Sequence, residues 1–234
     1  MRIFFGHQSV GADLLAGIDD LSRGARQTQA QVVGLEQASS ASHPLLIIHE
    51  RLGTNREPLT KIAAFRELLN SAQRPELDVA LLKFCYVDIT SHDEAQQLLS
   101  QYEAAIEQLS AVHDSVRLVH CTVPLRILPT GPYAWLRGVL KRRHPGFEAN
   151  RAREWFNERL RQRYSARGLL FDLAAIEARH PDGQRCSRSH RGVRVPALAP
   201  EWTYDGGHLN ERGRSMAAAA FLEFLQALRS PSKC

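Results

Sequence analysis

Arg2-Ile3-Phe4-Phe5-Gly6-His7-Gln8-Ser9-Val10-Gly11 holds, within one short stretch, the passage from a strand to a helix. The apolar run Arg2–Phe5 reads as a first strand. A helix follows from about Val10 to Ser22, with Leu14, Leu15 and Ile18 on one stripe. The same alternation continues outward. Gln31–Leu35, Val79–Phe84, Val116–Thr122 and Leu169–Asp172 read as further strands, and Leu45–His49 as one more extended segment. Between them lie helical patterns at Pro58–Asn70, Asp93–Leu109, Asn150–Tyr164 and Glu211–Leu228. Pro58 suits a first helical turn, and the alanine-rich Met216–Ala220 predicts close helix packing. Strands alternating with helices predict an α/β fold with a five-stranded parallel sheet covered on both faces. Pro124–Pro145 reads as an irregular insertion and Pro181–Trp202 as a long polar loop. With neither an internal repeat nor a break in composition, residues 1–234 are expected to form one domain.

Composition narrows the function classes. With 44% apolar and 24% charged residues in 234, the chain is an ordinary core-forming protein rather than a disordered or disulfide-framed one. Apolar runs such as Val79–Leu82 and Leu45–Ile48 fall far short of the ~20 residues that a membrane span requires. The cysteines (Cys85, Cys121, Cys186 and Cys234) show no metal-ligand spacing; Cys85 and Cys121 close predicted buried strands, where a reduced thiol packs as a small apolar group. Met1 runs straight into the first strand, so a cytoplasmic location is expected. The net charge is +5, and a basic stretch from Arg137 to Arg167 reads as a solvated helix face. No aromatic-interleaved platform accompanies it, so no nucleic-acid partner is expected.

In an open parallel sheet, ligands bind beyond the carboxyl ends of the strands, which limits the candidates. Ser9 sits in a glycine-flanked strand–helix turn that can hold a hydroxyl above the sheet; serine is equally suited to capping that helix. Before the last helix stands Tyr204-Asp205-Gly206-Gly207-His208-Leu209-Asn210. Two glycines let the chain fold back, so Asp205 can reach one nitrogen of His208 while the other faces away, which is the orienting half of a catalytic triad. Asp205 and Asn210 also suit plain turn and capping roles.

This arrangement resembles the SGNH (GDSL-type) hydrolase superfamily, in which the nucleophile follows the first strand and an Asp-x-x-His precedes the last helix. The order of elements matches over essentially the whole chain. The resemblance implies a three-layer, flavodoxin-like α/β/α sandwich, with Ser9 as nucleophile, His208 as general base and Asp205 as its orienting acid. The departures are specific. The family's Gly-Asp-Ser is replaced by Gly6-His7-Gln8-Ser9. Gly53 in Leu52-Gly53-Thr54-Asn55 corresponds to the oxyanion-hole glycine. Cys85-Tyr86-Val87-Asp88 stands at the Gly-x-Asn-Asp block, so Val87 replaces the oxyanion asparagine; Asn55 is the expected substitute, with the amide of Ser9 or Val10 as a further donor. His7, Lys83 and Asp88 are candidate substrate contacts, with Lys83 alternatively paired to Asp88 or Glu50. A metal cluster of His7, His49, Asp205 and His208 fits no standard spacing. The expected activity is hydrolysis of an ester with a short acyl group on a polar or sugar-like alcohol, without cofactor. An acyltransferase with the same residues, or a binding module that kept the fold, are the alternatives.

Overall fold

A computed structural model describes residues 1–24, 30–129, 145–190 and 192–229. The central sheet has six parallel strands: β1 (Arg2–His7), β2 (Gln31–Gly34), β3 (Leu46–Arg51), β4 (Val79–Leu82), β5 (Arg117–Cys121) and β6 (Leu170–Phe171). Their spatial order is β2-β3-β1-β4-β5-β6. The sheet has one strand more than the five expected: the extended segment at Leu45–His49 enters it as β3. Without the outer β2, the order is that of a flavodoxin-like sheet.

Strand alternation divides the core cleanly. Ile3, Phe5, Ile47, Val79, Leu81 and Val119 face one layer, formed by α1 (Ser9–Gly24) and a C-terminal helix at Glu211–Arg229. Phe4, Leu46, Ile48, Ala80, Leu82 and Leu118 face the other, formed by α2 (Pro58–Asn70), α3 (His92–Val112) and α4 (Pro145–Tyr164). Both sheet faces are therefore dry, as parallel strands require. A short α5 (Leu173–Glu177) follows β6, its first turn capped by the Asp172 carboxylate on the Ala175 amide at 3.2 Å. The C-terminal helix is α6. A Cβ at Gly17 would lie 2.3 Å from the Arg214 carbonyl oxygen, so only glycine lets α1 and α6 pack this closely.

Two expectations need correction. Within the expected loop Pro181–Trp202, Ser187–His190 (β7) and Val193–Pro196 (β8) form an antiparallel hairpin. Gly192 supplies the left-handed turn (φ 77°), and Cys186, Val195 and Ala197 bury one side. The basic stretch is not simply a solvated face either. Arg153 is 4% exposed, and Arg161 is bound by Glu154, Glu158 and Asp172. Much of the Pro124–Pro145 insertion, and Cys234, lie outside the described residues.

Sheet order positions the site. β3 and β4 flank β1, and the crossover between them passes over it, so the chain reverses direction in the sheet at β1. The turns after these three adjacent strands therefore open on the same crevice.

Candidate functional site

The turn after β1 begins α1. The Gln8 carbonyl accepts the Ala12 amide at 3.0 Å, so Gln8 rather than Ser9 occupies the capping position, and Ser9 begins the helix in a first turn whose amides have no intrahelical acceptor. The Ser9 hydroxyl faces His208 Nε2 at 3.1 Å. His208 Nδ1 donates to Asp205 Oδ2 at 2.5 Å. The other carboxylate oxygen accepts the amides of Gly207 (2.9 Å) and His208 (2.7 Å). Partial burial pushes the Asp205 carboxyl up, but the bonds from the His208 ring and from the His208 and Gly207 amides outweigh it and hold the group down at about 2. An ionised carboxylate on Nδ1 fixes the imidazole with its proton on that nitrogen, leaving Nε2 to accept from the serine.

The loop that carries His208 is itself braced. Thr203 Oγ1 accepts the Gly206 amide at 2.9 Å, with Gly206 at φ 86°. Asn210 Oδ1 caps α6 by accepting the Gly213 amide at 2.9 Å. Asp13, one turn beyond Ser9 on α1, accepts the Leu209 amide at 3.2 Å and so ties the serine's helix to the histidine's loop. Tyr86 meets His208 edge-on at 5.8 Å, and Tyr204 stacks over it at 5.9 Å.

The loop after β3 is held against the serine turn by Gln8, whose side-chain nitrogen donates to the carbonyls of Leu52 and Gly53, both at 2.9 Å. Gly53 has φ 61°, and a Cβ there would lie 2.5 Å from the Lys61 amide nitrogen, so the position admits only glycine. Asn55 is exposed, but its carboxamide oxygen accepts from Lys61 Nζ at 2.9 Å. That leaves its NH2 group as the end turned away from the lysine. Lys61 is fully buried and bonds Asp88 at 2.5 Å. Asp88 in turn accepts the amides of Cys85 (2.7 Å) and Arg56 (3.0 Å), and Arg56 holds a left-handed φ of 71°. One buried ion pair thus joins the turn after β4 to the loop after β3.

The three candidate substrate contacts all lie inside the protein. Asp88 is 4% exposed and serves the scaffold just described. Lys83 is fully buried; it donates to the Phe84 carbonyl at 3.2 Å and feels the charges of Asp13 and Glu177. It pairs with neither Asp88, which belongs to Lys61, nor Glu50, whose carboxylate accepts the Arg51 amide. His7 is 1% exposed; Nδ1 faces the Gln8 carbonyl at 2.8 Å and Nε2 faces His49 Nδ1 at 3.1 Å. Among the described residues, no group of three or more His, Cys, Asp or Glu side chains could hold a metal ion. His7 and His49 engage one another, whereas His208 engages Asp205 and Ser9.

Sequence reading did not find Gln8, Asp13, Lys61 or Tyr86. Asp13 had a signal: at four residues past Ser9 it shares that helix face. Gln8 and Lys61 act across distances that no local spacing reveals.

Chemically, the site can deprotonate a hydroxyl at Ser9, return the proton from Nε2, and offer amide donors from the α1 terminus and the Gly53–Asn55 loop. No family model and no curated protein matches the chain. Solved structures do. A Streptococcus pneumoniae protein provisionally described as a platelet activating factor is 16% identical, with a TM-score of 0.53, over 96% of this chain and 83% of that one. A DUF4886 family protein from Bacteroides uniformis is 12% identical, with a TM-score of 0.52, over 100% of this chain and 88% of that one. A Desulfitobacterium hafniense protein described as lipolytic, of the G-D-S-L family, is 8% identical, with a TM-score of 0.45, over 95% and 98%. What the first two likenesses establish is the fold, a three-layer α/β/α sandwich built on a parallel sheet.

Proposed function

We propose that this chain is a serine esterase of the SGNH type, cleaving a carboxylic ester by acyl transfer through Ser9. The observation that carries the reading is the unbroken hydrogen-bonded series from Ser9 Oγ through His208 to Asp205. Ser9 Oγ attacks the ester carbonyl carbon while His208 Nε2 takes the hydroxyl proton. The oxyanion is received by the Ser9 amide, the Gly53 amide and the Asn55 NH2 group, the last substituting for the asparagine that Val87 displaces. The tetrahedral adduct collapses, the C–O bond to the alcohol breaks, and the alcohol leaves with the proton from His208. Water then gives a proton to His208 as it attacks the acyl-serine carbonyl. Collapse releases the carboxylic acid and returns the proton to Ser9 Oγ. The substrate is an ester with a short acyl group on a polar alcohol.

A fluorophosphonate probe and p-nitrophenyl acetate test this together. The native chain should be labelled and should hydrolyse the ester. Ser9→Ala and His208→Ala should each abolish both, and the double variant should be scarcely worse than either single one, because the two groups act as a unit. A labelled, hydrolytically active Ser9→Ala protein would remove Ser9 from the role. Unlabelled, inactive native protein would favour the binding-module alternative.

A further inference from the structure

Two arginines converge on Tyr86, the ring that meets His208 edge-on. The Arg126 guanidinium lies 5.2 Å from the Tyr86 ring centroid and that of Arg153 lies 6.0 Å from it. Arg153 is buried on α4; it donates to the carbonyls of Tyr86 (2.7 Å) and Ile89 (3.1 Å) and to Asn150 Oδ1 (2.6 Å). Arg126 is exposed, yet its position is fixed. Asn150, fully buried, accepts the Arg126 amide at 3.1 Å and donates to its carbonyl at 2.7 Å, while the Leu198 amide donates to the same carbonyl at 3.2 Å. The Arg126 side chain donates from Nε to the carbonyl of Gly206, the residue after Asp205, at 3.3 Å.

Neither guanidinium has an ion-pair partner among the described residues. Asp205 is engaged by His208. Glu177, which accepts the Leu125 amide at 3.0 Å, is pushed up to about 8 by burial and so carries little charge near neutrality. Burial and the charge of Arg126 draw the Arg153 guanidinium down to about 10, so it remains a cation at pH 7. A buried cation without an ion-pair partner is costly, and here it backs a clamped, exposed arginine held over the ring that meets His208, its terminal nitrogens without a hydrogen-bond acceptor among the described residues. That is a preorganised anion receptor.

We infer that the site selects esters carrying an anionic group, a carboxylate or equivalent, close to the scissile bond, and that Arg126 is the residue that reads this charge. The inference rests on the esterase reading for its substrate but not for its binding step. Hydrolysis is compared for p-nitrophenyl hemiglutarate against p-nitrophenyl valerate (anion on the acyl side) and for 3-acetoxybenzoate against phenyl acetate (anion on the alcohol side). The native chain should favour one anionic ester by about ten-fold or more, as a charge-assisted hydrogen bond predicts. Arg126→Gln should bring that ratio down about ten-fold or more, toward one, Arg126→Lys should restore part of it, and added salt should weaken it. In parallel, calorimetry on the Ser9→Ala chain should detect monomethyl glutarate or 3-acetoxybenzoate, with binding weakened at least ten-fold by adding Arg126→Gln. Anion binding without any hydrolysis would overturn the esterase reading and sustain this one. Hydrolysis with both ratios near one, or anion binding indifferent to Arg126→Gln, would overturn this one.

Discussion

Asp205 and Asp88 are built alike and used differently. Each carboxylate accepts two main-chain amides and one side-chain donor: Gly207, His208 and the His208 ring for Asp205; Cys85, Arg56 and the Lys61 ammonium for Asp88. The Asp205 side chain is 40% exposed, whereas those of Asp88 and Lys61 are fully buried. On the proposed esterase reading the partner of Asp205 must gain and lose a proton, and its partial exposure keeps the cost of that change low. The partner of Asp88 has only to stay in place, and a dry, charged lock holds one geometry. On that reading the same hydrogen-bond pattern serves proton transfer at the surface and rigidity in the interior, with burial deciding between them.

The largest expected effect breaks the exposed half. Asp205→Asn keeps the shape but loses the charge and the fixed tautomer, so kcat should fall by about 10⁴-fold, far more than any loss of stability from the weakened bonds to the Gly207 and His208 amides. A fall of ten-fold or less would mean that the two amides, not the charge, are what Asp205 supplies. The buried half should respond the other way round. Lys61→Met strands a buried carboxylate and should lower stability by about 3–5 kcal/mol in denaturant unfolding, with Lys61→Met/Asp88→Asn recovering part of it. Asn55→Ala leaves the lock intact but removes the donor that the lock orients; kcat should drop by about 10²-fold with KM little changed. The smallest effect is a titration. Followed by carboxylate carbon NMR, Asp205 should have a midpoint at about 2, and His208→Gln should raise it toward the ordinary carboxylate range, since the ring supplies the first of the bonds that lower it.

The residues of this comparison were unequally legible in the sequence. Ser9, Asp205 and His208 are visible because each stands at a junction between a regular element and a turn, where the local pattern is distinctive. The buried lock is not, because Lys61 looks like any polar residue in an amphipathic helix and its partner lies 27 positions away. The alternative in which Lys83 pairs with Asp88 fails for a reason the strand period already contains. Lys83 continues the phase of Val79 and Leu81, which face α1 and α6, whereas Asp88 turns to α2 on the opposite layer. Leu45–His49 reads as extended in the sequence, but its place beside β1 depends on register with residues far away, Arg2 against Leu46 through His7 against Arg51. Arg126 was hidden too, because nothing local marks an arginine whose backbone is gripped by an asparagine 24 residues on.

The paired imidazoles behind the serine turn carry one more consequence, for how the protein breathes in acid. With a carbonyl at Nδ1, His7 must donate there and accept at Nε2, so His49 Nδ1 is the donor between them. Burial, reinforced by the charges of His49, Lys83 and Arg51 and only partly offset by the Gln8 carbonyl, draws His7 down to about 4 from an ordinary 6.5. In the unfolded chain the ring takes up its proton near 6.5. Between there and about 4 the open form binds more protons than the closed one, so stability drains away as pH falls through that window and is whole above it. Protonation also sets donor against donor at the His7–His49 contact. Slow amide exchange should therefore be lost first at Leu52 and Ala12, whose amides donate to the carbonyls of His7 and Gln8, while the strands behind stay closed.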